Sequence, residues 1–389
     1  MTQTLKDSLD NGKYTKIKVI GVGGGGMNAV HQMIKEGVAG VEFLVVNTDQ
    51  HILDLSPCEN KLAIGENLTR GLGAGGNPEI GRQAAEESKN EICEQLQGCD
   101  MVFITAGMGG GTGTGAAPVI AKLSTEMEIL TIGVVTKPFT WEGPVKKRRA
   151  DEGIKNLTGS VDTLITIPND KLREVCDKKI TFQNALKISD DVLRQGVSGI
   201  SDIIVVPGMI NVDFADVQNI MKNKGSALMG IGIESGEDRA IRAAERACES
   251  RLLERSIDGA TGMLVNITAN QDVSLQEIND AMEIIYNKTN IDTVEVIFGV
   301  VYDDSLEDQI KITVVATGFN PPTARKIPGA PSINTQRPAS SRTAVPSSSR
   351  TSSPARSEYS EQKEQKTSFS SGPSFSPKFN IPDFLNKDK

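Results

Sequence analysis

The chain has 389 residues and a formal net charge of −8, which suits a protein of about two domains with buried cores. Its five cysteines are scattered without a CxxC pair, and their odd number argues against a disulfide framework or a zinc ribbon. Its two histidines, His31 and His51, are expected to lie on a helix surface or in a loop without a metal. The apolar runs are too short to cross a bilayer and the folded part is acidic, so we expect no direct membrane insertion and no nucleic-acid partner.

Short runs rich in valine and isoleucine alternate with helical patterns between residues 17 and 180, after an N-terminal extension, residues 1–15, that we expect to be disordered. The runs predict five strands: IKVIGV (17–22), VEFLVVNTD (41–49), MVFITAG (101–107), ILTIGVVTK (129–137) and DTLITIPND (162–170). Strands that alternate with helices form parallel sheets covered on both faces. The sequence therefore predicts an α/β fold with a Rossmann-like, doubly wound parallel sheet.

A helical pattern over residues 181–201 predicts a long central helix. Four further strands are predicted after it: DIIVVPG (202–208), GMLVNITAN (262–270), VEVIFGVVYDD (294–304) and IKITVVATGF (310–319). With the helical stretches between them they suit a smaller α+β domain over 202–319. Proline and serine then dominate, which predicts a disordered linker over 320–377, and large apolar residues return in the last segment, 378–389.

Three glycine-rich loops adjoin predicted helices: a first loop at residues 21–28, a second, GGGTGTG, at 109–115, and a third at 71–78. Glycine lets backbone N–H groups approach phosphate oxygens, and a helix N-terminus adds partial positive charge. GGGTGTG lies between the predicted strand MVFITAG and the helical run AAPVIAKLS, where a flexible linker does not belong. We interpret these segments as phosphate-binding loops.

Two kinds of nucleotide remain open on the glycine pattern alone. Gly21, Gly23 and Gly26 fit the dinucleotide fingerprint, and Asp49 follows the next strand, as in an NAD-dependent oxidoreductase. Three loops suit a triphosphate better, although no GxxxxGK[ST] motif supplies a phosphate-binding lysine. The phosphate charge is then expected to be met by backbone amides, helix termini and Mg²⁺.

The order and spacing of several motifs resemble the tubulin/FtsZ superfamily, and within it the FtsZ GTPases of bacterial cell division. The motifs are IGVGGGG, NTD (47–49), TRGLGAGGNPEIG (69–81), MGGGTGTGAAPVIA, TKPFTWEG (136–143), IPND (167–170) and NVDFADV (211–217). The resemblance covers about residues 16–319 and the last dozen residues. It implies a GTP-binding domain over 16–180, the central helix over 181–201 and a C-terminal domain over 202–319.

The resemblance also implies the residues that bind GTP or GDP. Phosphates are assigned to the first and second glycine loops and the γ-phosphate to the third. The ribose is assigned to Glu142, and the base to Asn169 and Asp190. The phosphate residues are Gly24, Gly25, Gly26, Asn28, Ala74, Gly75, Gly76, Gly111, Thr112 and Gly113, and Met27 and Lys146 belong to the same nucleotide site. Three positions depart from the family pattern. Met27 replaces asparagine, Lys146 replaces an arginine of the site, and Leu186 replaces an aromatic residue that stacks on guanine.

The Asp190 assignment has a chemical basis of its own. A carboxylate accepts hydrogen bonds from both N1–H and N2–H of guanine, whereas adenine presents a lone pair there and would leave a buried charge unpaired. Asp190 and Asp191 are otherwise read as solvated carboxylates on a helix.

A segment with two acidic residues, Asn211-Val212-Asp213-Phe214-Ala215-Asp216, lies in the other predicted domain, and we call it the acidic loop. The resemblance implies a synergy loop that completes the nucleotide site of the next subunit, with Asn211, Asp213 and Asp216 as the catalytic residues and a head-to-tail filament as the result. The alternative is local: Asp213 caps the following helix and Asp216 favours its positive end. A nucleotide-binding scaffold that assembles without turnover is a further alternative.

The last segment is similar to the C-terminal peptide of the same family. Phe379, Ile381, Phe384 and Leu385 are expected to bind apolar grooves on membrane tethers and other division proteins. The resemblance further implies a cytoplasmic protein located at the mid-cell division site.

Overall fold

A computed structural model of the chain describes residues 15–175, 181–250, 256–289 and 294–319. The linker, the C-terminal peptide and all but residue 15 of the N-terminal extension therefore lie outside the described residues. Within the described ranges, no helix is both long and apolar enough to cross a bilayer.

The described residues form alternating strands and helices. The strands are β1 (Ile17–Val22), β2 (Glu42–Asn47), β3 (Asn60–Ala63), β4 (Met101–Gly107), β5 (Leu130–Lys137), β6 (Thr163–Pro168), β7 (Gly225–Ser235), β8 (Gly262–Ala269), β9 (Glu295–Tyr302) and β10 (Gln309–Thr317). The helices are α1 (Gly23–Lys35), α2 (Gln50–Asp54), α3 (Glu66–Thr69), α4 (Pro78–Glu87), α5 (Lys89–Leu96), α6 (Thr112–Glu126), α7 (Pro144–Thr158), α8 (Asn169–Val175), α9 (Phe182–Val205), α10 (Phe214–Met221), α11 (Arg239–Cys248) and α12 (Leu275–Asn287). Short 3₁₀ turns occur at Thr140–Glu142 and Asp304–Leu306.

The strands join in a 10-stranded sheet of order β3-β2-β1-β4-β5-β6-β7-β10-β8-β9. All neighbours from β3 to β7 are parallel, whereas β10 runs antiparallel to both β7 and β8. The α/β prediction is confirmed, with a doubly wound parallel half and a mixed half. The strand order reverses between β1 and β4, which is where open α/β sheets bind ligands.

Helices cover both faces of the parallel half. Phe103 of β4 belongs to a core shared with α1 and α9, where it is buried with Met33 and Val197. The next residue, Ile104, faces the opposite side and belongs to a core with Ile120 of α6. Successive side chains of a strand point to opposite faces, so the apolar run of β4, which only the buried Thr105 interrupts, fits a strand that is covered on both faces.

The predicted strand DIIVVPG is wrong, because α9 continues through this run to Val205. The β-branched residues suggested a strand, but Ile200 and Ile203 stand three apart and extend the buried stripe of the helix into the core. Only an isolated bridge between Ile210 and Val300 of β9 has strand character here. Asn211 thus follows a helix and a turn, not a strand.

Strand β7 was missed by the sequence analysis. Its sequence, GSALMGIGIES, lacks clear alternation because Gly230 and Gly232 stand where a Cβ would come within 1.9 Å of carbonyl oxygens of α11. The close approach of that helix therefore explains the glycines. Strand β7 pairs with β6 through Gly225–Ala227 and with β10 through Leu228–Ser235, so it links the two halves of the sheet.

Candidate nucleotide site

Two of the glycine loops lie side by side at the carboxyl edge of the parallel sheet. The first joins β1 to α1 and the second joins β4 to α6, and the ends of these paired strands, Val22 and Ala106, are opposite each other. Neither helix has a side-chain cap at its N-terminus. The first-turn N–H groups of both helices are therefore available to an anion.

A cavity of about 290 Å³ opens where the loops meet. Ten of the predicted site residues line it: Gly24, Gly25, Asn28, Gly111, Thr112, Gly113, Glu142, Lys146, Asn169 and Asp190. A larger groove of about 930 Å³ lies between α4, α6 and α7, but its lining contains none of the predicted site residues. Most of the residues predicted to bind a nucleotide therefore line the smaller cavity.

Two glycines of the first loop differ in what surrounds them. A Cβ at Gly26 would lie 2.2 Å from the carbonyl oxygen of Thr105, so α1 packs against β4 too closely for a side chain. A Cβ at Gly24 would meet no atom within 4 Å. Gly24 therefore borders open space in the cavity, whereas Gly26 serves the packing that positions the loop.

Met27 and Asn47 explain one departure from the family pattern. The Met27 side chain is fully buried, and its sulfur accepts a hydrogen bond from the Asn47 Nδ2 at 3.2 Å. A side chain that packs in the core cannot contact a ligand in the cavity. Of Met27, only the backbone remains available to the predicted nucleotide site.

The third glycine loop packs on the second. Gly73 donates its N–H to the Thr48 carbonyl at 3.0 Å, and a Cβ at Gly111 would lie 2.8 Å from the Cβ of Ala74. Ala74, Gly75 and Gly76 nevertheless lie outside the lining of the cavity. Their predicted contact with a terminal phosphate remains a prediction.

One face of α9 forms the opposite wall of the cavity. Leu186, Ser189, Asp190 and Leu193 all line it, and their spacing of three, four and seven residues places them on the same side of the helix. Burial raises the pKa of the Asp190 carboxyl to about 6. A partly desolvated carboxylate of this kind is suited to accept hydrogen bonds from a ligand.

Asn169 contributes an amide beside that carboxylate. It begins α8 directly after β6, and its Oδ1 accepts a hydrogen bond from the Ser189 hydroxyl at 2.8 Å. Both side chains are buried. Ser189 was not predicted as a site residue, although its position just before Asp190 on a predicted helix could have indicated it.

Glu142 and Lys146 line the cavity as an ion pair. The second carboxylate oxygen of Glu142 accepts the backbone N–H of Phe139 at 2.9 Å, which holds the 3₁₀ turn that carries it. The Glu142 side chain is only 15% exposed. Lys146 therefore offsets a charge within the protein, in addition to any contact with a ligand.

Asp49 does not occupy the position that a dinucleotide site requires. Its Oδ1 accepts the N–H of Ile52 at 3.2 Å and caps α2, and it is absent from the cavity lining. A ribose-binding carboxylate after β2 is the feature that distinguished the NAD alternative. The geometry gives that alternative no support.

The acidic loop, residues 211–216, lies at the opposite edge of the sheet. Helix α9 has 24 residues and spans about 36 Å, so its far end at Val205 is remote from Asp190. Helix α10 precedes Gly225, which pairs with Thr163 at the start of β6, the amino edge of the parallel strands. The carboxylates of Asp213 and Asp216 therefore lie far from the cavity of their own chain.

The capping alternative for these residues is confirmed for their positions at the start of α10 but not for a cap hydrogen bond. Asp213 occupies the N-cap position of α10 and Asp216 its first turn, but the Asp213 side chain makes no cap hydrogen bond. Both residues are exposed. Asn211, in contrast, is structural as well as exposed: its Nδ2 donates to the Val206 carbonyl at 2.7 Å and its Oδ1 accepts the Gly208 N–H at 3.0 Å.

Comparison with known proteins agrees with this geometry. The GTPase domain of the tubulin/FtsZ family matches residues 16–177, and the C-terminal domain of the FtsZ family matches residues 225–320. The chain is 41% identical to an FtsZ from M. jannaschii, solved as an empty dimer, over 82% of this chain and 93% of that one, with a TM-score of 0.76. The chain belongs to the FtsZ family. It is a guanine-nucleotide-binding GTPase of the self-associating cytoskeletal proteins that act in cell division.

A more distant structure shares the FtsZ fold. CetZ2 from Haloferax volcanii, solved as a GTPγS-bound protofilament, is 21% identical over 79% of this chain and 95% of that one, with a TM-score of 0.66. A second M. jannaschii FtsZ structure, of a point mutant, is 42% identical over 81% of this chain and 94% of that one, with a TM-score of 0.76.

Proposed function

We propose that this FtsZ-family protein hydrolyses GTP at a site shared by consecutive subunits of a head-to-tail filament. The observation that carries the proposal is the separation of two half-sites. The cavity lies at the carboxyl edge of the parallel sheet, and the exposed carboxylates of Asp213 and Asp216 lie at the opposite edge. Contact between unlike faces of two copies brings the half-sites together, and repetition of that contact gives an open filament.

In this proposal the glycine loops hold the phosphates. The uncapped N-termini of α1 and α6 supply N–H donors and partial positive charge to the oxygens, and the third loop meets the γ-phosphate. Glu142 contacts the ribose. Asp190 accepts from N1–H and N2–H of guanine, and Asn169 contacts the same base.

Magnesium is bound mainly through the nucleotide in this proposal. Among the described residues that line the cavity, the carboxylates are Glu142, which is paired with Lys146, and Asp190, which faces the base. Neither suits a cation at the phosphates, so phosphate oxygens and water would supply the ligands. When bound, Mg²⁺ neutralises charge on the phosphate chain.

The acidic residues of the neighbouring subunit orient the water that attacks the γ-phosphorus. Asp213 and Asp216 have solvated carboxylates that can accept hydrogen bonds from that water. Asn211 holds the loop that carries them, through its bonds to Val206 and Gly208. The M. jannaschii relative was solved as a dimer, which supports contact between copies.

A mixing experiment tests the shared site. Asp190→Ala removes the base contact and leaves the acidic loop intact, whereas Asp216→Ala does the reverse. Each variant alone should release little phosphate from GTP, and an equal mixture should recover activity, because about a quarter of the contacts then pair two intact halves. A mixture as inactive as its components, with Asp216→Ala still binding GTP, would contradict the proposal.

The cellular part of the proposal rests on the sequence resemblance. We place the protein in the cytoplasm of a bacterium, at the mid-cell division site, with Phe379, Ile381, Phe384 and Leu385 binding membrane tethers and other division proteins. The division into a GTP-binding domain, a central helix, a C-terminal domain and a linker belongs to the same proposal. Removal of residues 378–389 should leave GTP hydrolysis intact and abolish mid-cell localisation in cells.

A further inference from the structure

A hydrogen-bonded contact between Thr140 and Asp170 joins two walls of the cavity. Thr140 begins the 3₁₀ turn that carries Glu142, and Asp170 follows Asn169 in the first turn of α8. Glu142 and Asn169 both line the cavity. Resting on the proposed function, which gives the ribose to Glu142, we infer that Asp170 is a positioning residue that holds the turn, and with it Glu142, in place against the start of α8.

The direction of this contact is fixed by the groups that make it. The Thr140 backbone N–H donates to the Asp170 Oδ1 at 3.0 Å, and the Thr140 hydroxyl bonds the Oδ2 of the same carboxylate. A backbone N–H only donates and an ionised carboxylate only accepts, so both bonds run from Thr140 to Asp170. Two bonds to one carboxylate restrain the orientation of the turn as well as its distance from α8.

The paired strands beneath the contact end before the turn begins. Strands β5 and β6 are paired up to Lys137 and Pro168, and the chain then leaves the sheet on both sides. Within the turn, the Glu142 carboxylate accepts the Phe139 N–H at 2.9 Å, and the Glu142 N–H donates to the Phe139 carbonyl at 3.0 Å. These bonds are local, so they set the shape of the turn rather than its place relative to α8. The contact with Asp170 adds that second constraint.

Loss of the contact should therefore act on the ribose more than on the rest of the nucleotide. Glu142 would keep its charge and its local bonds, but a turn that moves relative to the cavity would hold its carboxylate against the ribose hydroxyls for less of the time. In the proposed function the phosphates are held by the glycine loops, which adjoin other strands, β1 and β4. The preference for a ribose with hydroxyls over one without them thus reports on Asp170.

Calorimetric titration of the full chain with GDP and with dideoxyguanosine diphosphate measures that preference. The two ligands have the same base and the same phosphates and differ only in the two ribose hydroxyls. The unmodified protein should bind GDP about tenfold more tightly, the equivalent of one hydrogen bond to a charged group. In Asp170→Ala this ratio should fall to about twofold, with the affinity for the dideoxy ligand nearly unchanged.

Two further variants separate the contact from other effects of removing Asp170. Asp170→Asn keeps an oxygen for the Thr140 N–H and offers an N–H₂ group to the hydroxyl, which can also accept, so most of the ratio should be retained. Thr140→Ala removes only the hydroxyl bond and should lower the ratio by less than Asp170→Ala does. In the Asp170→Ala background, Thr140→Ala should have no further effect, because the pair is already broken.

Glu277→Ala is the matched control. Glu277 is partly buried, as Asp170 is, and its carboxylate likewise accepts the backbone N–H and the hydroxyl of one residue, Ser274, at 2.8 and 2.9 Å. Its helix, α12, contributes no residue to the cavity lining. This variant should lose stability and leave the ratio unchanged.

The outcomes distinguish the inference from the proposed function. A ratio that falls in Asp170→Ala and is retained in Asp170→Asn supports the inference. A ratio that is unchanged in Asp170→Ala and lost in Glu142→Ala would overturn it and leave the ribose contact standing. A ratio that Glu142→Ala does not change would instead contradict the ribose contact itself, and the inference with it.

Discussion

The hydroxyl oxygens of Thr48 and Thr112 lie 2.7 Å apart in a buried hydrogen bond that joins the segment after β2 to the first residue of α6. Thr48 also accepts the N–H of Gly73 through its carbonyl, so the same residue holds the third glycine loop against the second. Two loops that are distant in the chain, both proposed to bind phosphate, are thus fixed to each other before any ligand binds.

Loss of the Thr48 hydroxyl should loosen this arrangement. Thr48→Ala leaves the Thr112 hydroxyl without its partner in a buried setting, which should lower the free energy of unfolding by about 1 kcal/mol and weaken GDP binding several-fold. Urea unfolding and calorimetry measure the two effects. Thr48→Ser keeps the hydroxyl and should retain most of the affinity; equal losses in both variants would assign the effect to the missing methyl group.

Removal of an acid at the far edge of the sheet should stop turnover and spare binding. Asp216→Ala is expected to reduce phosphate release at saturating GTP by about a hundredfold or more, because the attacking water loses an acceptor. Calorimetry with GDP should show unchanged affinity.

Glu91→Ala provides a matched comparison for Asp216→Ala. Glu91 is also an exposed acidic residue in the third position of an eight-residue helix, α5, so both changes remove the same favourable charge from a helix N-terminus. Turnover should be normal in Glu91→Ala. A similar loss in the two variants would show that helix stability, not the identity of the acid, causes the effect.

The raised pKa of Asp190 predicts that nucleotide binding weakens in mild acid. Burial brings this pKa to about 6, and the protonated carboxyl loses an acceptor that guanine N1–H and N2–H require. Between about pH 7.5 and about pH 5.5 the ionised fraction falls roughly fourfold, and the affinity for GDP should fall with it.

The same shift acts on the empty protein with the opposite sign. The folded state binds a proton more readily at Asp190 than the unfolded chain does, so this group should stabilise the fold as the pH falls through about 6. Comparison of the unmodified protein with Asp190→Asn separates the titration of this carboxyl from that of the nucleotide phosphates, because both proteins bind the same phosphates. A pH profile of GDP affinity that is identical in Asp190→Asn would rule out Asp190 as its source.

Leu186→Phe should tighten nucleotide binding. Leu186 lines the cavity four residues before Asp190 and is 40% exposed, so an aromatic ring has room to stack on the base. A stacked ring is worth about 0.5–1.5 kcal/mol, which predicts a two- to tenfold lower dissociation constant for GDP. Leu55→Phe, an exposed position outside the cavity lining, should have no effect.

The sequence predicted best the elements whose pattern and environment agree. The prediction for β4 matched its observed bounds, Met101–Gly107, because a strand buried on both faces reads as a nearly continuous apolar run, broken here only by Thr105. The strand prediction for DIIVVPG failed because a short apolar run fits the end of a buried helix equally well, and only its length argued for a strand. Strand β7 was hidden by glycines whose reason is a helix that packs on it from elsewhere in the chain.

The cavity was predicted more completely than its internal contacts. Motif spacing brought Gly24 and Thr112 to one place, since loops at the carboxyl ends of neighbouring parallel strands converge, whereas Asp190 on α9 came from the family resemblance. Spacing could not show that Ser189 donates to Asn169, because that bond depends on how α9 is rotated against α8. Nor could it show that the Met27 side chain turns away from the ligand into the core.

Helix α9 carries a cavity-lining face near one end and is followed closely by the acidic loop at the other. Each residue of a helix advances the chain by about 1.5 Å and turns it by about 100°. A one-residue insertion or deletion within α9 would therefore rotate the loop around the helix axis and displace it from the position that the proposed contact with the next subunit requires. No residue of α9 after Lys187 is exposed, so the number of residues in this helix is constrained together with their packing.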